Sequence, residues 1–98
     1  MSADGSKIKD RYVFRAKDFY ALLEKQKYRC PYTGRELTPT NCIAEHRVPL
    51  RKSGKHEGGN IILVDSHVGY LKRYLTDEEV LQLAVDMAKT LKIKHARK

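Results

Sequence analysis

Residues recur along this chain in different rhythms, and each rhythm predicts a different element. In "AKDFYALLEKQK", residues 16–27, Phe19, Leu22, Leu23 and Gln26 return at helical spacing with no Gly or Pro between them, which predicts a first helix. "CIAEHRVPL" sets a polar centre between Ile43 and Val48 and carries Pro49 near its end, the pattern of a short strand that breaks there. "NIILV", residues 60–64, is a β-branched apolar run and predicts a second strand. The Gly-rich, charged "RKSGKHEGG" between them reads as the loop of a hairpin.

Helical spacing returns after the hairpin. Ser66 is the expected N-cap of a short helix "HVGYLKRYL", and Thr76 with Glu79 makes the capping box of a longer one, "DEEVLQLAVDMAKTLKI". Val80, Leu83, Ala84, Met87 and Leu91 form one apolar stripe on that helix, which predicts core packing. Pro31 with Gly34, and then Pro39, mark turns ahead of the hairpin. The predicted order is helix, loops, hairpin, short helix, long helix: an α+β fold. Residues 1–10 are polar and read as a flexible leader, and the tail "KIKHARK" is basic. Residues 11–98 are expected to form a single domain, since a chain this short does not divide its core.

Charge narrows the partner. Twenty Lys and Arg against 12 Asp and Glu leave a net charge of +8, which attracts polyanions, nucleic acid first and acidic membrane second. A basic amphipathic helix with an aromatic face is absent from the pattern, which disfavours the membrane. No apolar run approaches the roughly 18 residues of a span, and the N-terminus lacks a signal core, so a soluble, cytoplasmic protein is expected. Cys30 and Cys42 are expected as free packing thiols.

Glu45 and His46 supply the candidate chemistry. Hydrolysing a phosphodiester requires a base to activate water and a cation to offset charge on the phosphate. Glu45 is a hard oxygen ligand suited to Mg²⁺ or Mn²⁺, while an unligated His46 can take a proton from water. Neighbours on a regular strand point to opposite faces, so the two serve one site only if the strand is irregular there or the groups approach from different sides.

"RCPYTGREL", "EHRVPL", "GGNIILV" and "LKR", taken together over roughly residues 17 to 85, resemble the HNH endonucleases, whose ββα-metal motif binds one divalent ion at a hairpin and helix. The resemblance implies a metal-dependent endonuclease acting on nucleic acid, DNA ahead of RNA. It implies His46 as general base, Glu45 as a metal ligand, and Asn60 as the central Asn that braces the loop and orients the histidine. Lys72 matches the basic residue on the motif's helix that faces the phosphate backbone. Mg²⁺ is the expected ion, with Mn²⁺ or Ni²⁺ as alternatives. Such a domain is compatible with a dimer or with a place in a larger nuclease.

The chain departs from the family pattern twice. One family feature is a structural zinc on two Cys pairs; here the first pair is Cys30 with Thr33 and the second is replaced by Asp65 and Val68, so no structural zinc is expected. The family's second protein ligand, Asn or His, falls on Gly69. His67 is the expected replacement, although two positions lie roughly 200° apart around a formed helix. Asp65, four residues before Gly69, and water are the alternatives.

Arg47, Lys52 and Lys55 on the hairpin, with Lys72 and Arg73 on the short helix, are the expected phosphate contacts. Arg51 lies among them. His56 and His95 read as exposed histidines outside the site. A function of a different class stays open: a nucleic-acid-binding module that keeps the nuclease frame but has lost turnover, with Gly69 as the lesion.

Overall fold

The computed structural model describes residues 12–92; the expected leader over 1–10 and the tail with His95 lie outside them. The first helix, α1, spans Ala16–Lys25, and Asp18 in its first turn accepts a hydrogen bond from the Arg15 N–H at 2.9 Å. It ends two residues earlier than the pattern predicted. The chain leaves it through Lys27 and Tyr28 at φ 56° and 58°, a left-handed turn that no Gly announces in the sequence.

Strands β1, Cys42–His46, and β2, Ile61–Asp65, pair antiparallel with Glu45 opposite Ile62 and Cys42 opposite Asp65. β2 is buried at all five positions, as its apolar run requires. Its Leu63 N–H and C=O are both taken by the Gln26 side chain, at 2.9 Å each, so α1 is tied to β2 through Gln26. Leu23, Cys30, Leu37, Cys42, Ile62, Leu63 and Val64 form the core where α1 and the turn after it meet the hairpin.

Helix α2, Ser66–Lys72, starts directly from β2. Its N-cap is Asp65, whose carboxylate accepts the His67 N–H at 2.8 Å; Ser66, the expected cap, is the first helical residue. α2 lies on the face of the hairpin that carries Ile43 and Val64, and Gly69 lets it come close: a Cβ there would lie 2.7 Å from Ile43 Cγ1. Helix α3, Asp77–Leu91, opens with the predicted capping box between Thr76 and Glu79.

The stripe on α3 departs from expectation. Val80 is buried, but Leu83, Ala84, Met87 and Leu91 are exposed, because α3 touches the rest of the described chain only near its start. Among the described residues, no helix is long and apolar enough to cross a membrane. Cys30 and Cys42 are buried free thiols.

Candidate functional site

β1 stops at His46, and this end of the hairpin is where the candidate groups gather. The chain turns there through Pro49 and a short 3-10 segment, Leu50–Lys52, and returns through a second, Gly58–Asn60. Asn60 closes the loop. Its Oδ1 accepts from the Val48 N–H at 2.9 Å, and its Nδ2 donates to the carbonyls of Val48 (3.0 Å) and Lys55 (2.8 Å). Its backbone carbonyl accepts from Arg47, which extends the ladder beyond His46. Gly54 completes the turn, since a Cβ there would run into the Val48 carbonyl.

Because the strand ends at His46, Glu45 and His46 line one open hollow of about 280 Å³, together with Leu50, Arg51, Arg73 and Tyr74. Glu45 points to the α2 side, where its Oε2 accepts from Arg73 Nη2 at 3.2 Å. His46 meets His56 instead: its Nε2 lies 2.9 Å from His56 Nδ1. Burial pushes the His46 imidazole below its usual value, the charges of His56 and Lys72 add to this, and Glu45 pulls the other way. Arg51 lies 4.2 Å over the Tyr74 ring on the wall of the same hollow.

His67 is not brought to Glu45. Its Nδ1 sits 2.9 Å from the Asp65 carboxylate, and both belong to the end of the hairpin where Asp65 faces Cys42. Cys42 is three residues from Glu45, roughly 10 Å along a strand. Asp65 is taken up as helix cap, and the His67 N–H and imidazole, then Arg35, hold its carboxyl below the usual range. Among the described residues, no group of three or more His, Cys, Asp and Glu is placed to hold a metal, and Glu45 is the one carboxylate lining the hollow. The expected pair, Glu45 and His67, is thus not brought together at one point in this structure.

The expected phosphate contacts divide. Lys72 is fully buried, and its Nζ donates to the carbonyls of His46 (2.9 Å), Arg47 (3.1 Å) and Leu75 (3.3 Å), so it faces backbone rather than phosphate. This corrects the sequence reading: the (CH₂)₄ stem crosses under the hairpin, and the three carbonyls leave the ammonium no reason to reach solvent. Burial lowers its pKa, an effect that Arg47 reinforces and Asp77 and Glu45 oppose. Arg47 pairs with Asp77 and Lys52 with Glu79, each at 2.9 Å, which ties the loop to the start of α3. Lys55 is exposed on the loop, and Arg73 stands at the hollow.

Two members of the site were missed by the sequence reading. His56 lies ten residues from His46, and only the closed loop brings them together. Arg51 stands in sequence among the loop cations, yet it alone of them combines a place at the hollow with an aromatic support. No family model, curated protein or solved structure matches the chain.

Proposed function

We propose that the chain is a nucleic-acid phosphodiester hydrolase on an HNH-type hairpin-and-helix frame, with His46 as the base that takes a proton from the attacking water. The observation that carries this reading is the Asn60 tie. Three hydrogen bonds from one side chain fix the loop beside the strand end and so position His46 and Glu45 at one hollow. A polar side chain so employed goes beyond what a turn needs.

The electrostatics agree with that role. A depressed imidazole pKa keeps His46 neutral and able to accept a proton at neutral pH. For His46 to take that proton on Nδ1, its Nε2–H must donate to His56 Nδ1, and the two nitrogens lie 2.9 Å apart. As the water oxygen bonds to phosphorus, the bond from phosphorus to the leaving oxygen breaks and that oxygen takes up a proton from solvent, while Arg51 and Arg73, which line the hollow, offset the charge that grows on the phosphate oxygens. A divalent ion, when bound, would supply further charge stabilisation; the residues described here do not form its shell.

A second reading has its own support. Gly69 brings no ligand, and Glu45 is already engaged by Arg73, an arrangement suited to a module that binds nucleic acid without cutting it. Supercoiled plasmid incubated with the pure protein in Mg²⁺, Mn²⁺, Ni²⁺ or EDTA separates the two. Nicking that disappears in His46→Ala, with DNA binding retained, is the expected result. Equal cutting by wild type and His46→Ala overturns the base, and a gel shift without nicking in any condition favours the binding module.

A further inference from the structure

We propose that the hollow at the end of β1 grips a nucleic-acid phosphate directly through Arg73 and Arg51, with no divalent ion needed for binding. The ligand class rests on the nucleic-acid reading above; the grip itself rests on geometry. Ile43 and Glu45 are two residues apart on β1, ~6.6 Å, and Gly69 on α2 comes four residues, ~6 Å, before Arg73, the residue that caps the C-terminus of the helix, so the two elements run in step. Ile43 meets Gly69, and Glu45 meets Arg73 one turn further on. A side chain at position 69 would have to displace Ile43, because even its Cβ would press on that side chain. Arg73 is thus the group that α2 presents to Glu45.

The Glu45 contact uses a single N–H of Arg73, at 3.2 Å, and a guanidinium carries five. The remaining donors keep the fork geometry that matches a phosphate. Arg51 is held over Tyr74, its guanidinium carbon 4.2 Å from the ring centroid, and no hydrogen bond of its side chain to the described residues takes up its donors. Two guanidinium charges against the one carboxylate leave the hollow with a single formal positive charge, the complement of one phosphodiester. Glu45 then acts as a counter-charge that positions Arg73 and also opposes the phosphate. A site organised around a cation would use the carboxylate the opposite way, as an attraction.

That opposition makes the test. A fluorescein-labelled single-stranded oligodeoxynucleotide is titrated in EDTA and in Mg²⁺ and followed by anisotropy. Binding is expected to persist in EDTA, Arg73→Ala to weaken it by about 5- to 20-fold, and Arg73→Lys to recover only part, as for a forked, charge-assisted contact. Lys89→Ala on α3, with the same loss of charge, is expected to change it by less than about twofold. Glu45→Gln is expected to tighten EDTA binding by about 2- to 5-fold, more than Glu24→Gln on α1, which adds the same charge elsewhere. Should Arg73→Ala fail to fold, Glu45→Gln alone decides. Binding that needs Mg²⁺, an Arg73→Ala effect no larger than that of Lys89→Ala, or weakening by Glu45→Gln overturns the proposal. EDTA-resistant, Arg73-dependent binding without any nicking leaves the grip standing and the hydrolase reading rejected. Nicking with no Arg73 dependence of binding does the reverse.

Discussion

Lys72 donates to the main-chain carbonyl of His46 across 2.9 Å, from a side chain with no solvent exposure. Helix α2 thereby holds the residue that carries the candidate base. Lys72→Ala strips three carbonyls of their donor, and is expected to cost about 2–5 kcal/mol, the range for breaking a buried charged hydrogen-bond cluster. Urea denaturation measures this. If Lys72→Ala leaves the midpoint unchanged and only lowers affinity for DNA, the side chain faces phosphate after all.

Gly69 is a packing residue, against Ile43. Gly69→Asn would drive a side chain into Ile43, and is expected to destabilise by about 1–3 kcal/mol, as overpacking does. It is not expected to bring metal binding, which calorimetry with Mn²⁺ checks. Ile43→Ala removes the atoms that a Cβ at position 69 would strike. The double variant Gly69→Ala/Ile43→Ala is therefore expected to be more stable than the two single costs added together. Strict additivity would show that Gly69 and Ile43 do not press on each other.

These two residues mark how far the sequence could be read. Local signals held: the capping box at Thr76 and Glu79 and the buried run of β2 both depend on residues near one another in the chain. The reading failed where a long side chain had a choice of direction. Lys72 lies on the predicted helix, but only the crossing of α2 under the hairpin decides that its ammonium meets carbonyls. Arg47 and Lys52 found Asp77 and Glu79, 30 and 27 residues away, through the docking of the loop on α3. His56 is exposed, as its charged, Gly-rich surroundings suggest, but the loop that Asn60 closes brings it to His46, ten residues away. On α3, periodicity identified the helix correctly; it could not show that the helix would run beyond the body that covers Val80.

Asn60→Ala is expected to open the loop. Three side-chain hydrogen bonds are lost, for a net of about 1–3 kcal/mol at about 1 kcal/mol each. Trypsin should then cut after Lys52 or Lys55 faster than in wild type, at concentrations that leave the wild-type loop intact. Any nicking activity should fall alongside, because His46 and His56 lose the closure that brings them together. Unchanged loop proteolysis would mean that the ladder from β1 and β2 holds the loop without Asn60.

The second fastening of this loop is acid-labile, and the sign can be worked out. Lys52 donates to both oxygens of Glu79 at 2.9 Å, and the Thr76 N–H donates to the same carboxylate. The Lys52 bond first, and the Thr76 bond next, hold Glu79 below its ordinary value of 4.5. A carboxyl whose folded pKa is depressed stabilises fully above the unfolded value, and this contribution fades as pH falls through the folded one. Glu79→Gln keeps the size of the side chain but removes the charge. Thermal melts of wild type and Glu79→Gln should therefore differ most above pH 4.5 and converge as the pH is lowered beneath it. The pair is partly exposed, so salt should shrink the difference at neutral pH. A gap between the two proteins that stays constant from pH 7 to about pH 3 would contradict this linkage and assign the effect of Glu79 to packing rather than to its charge.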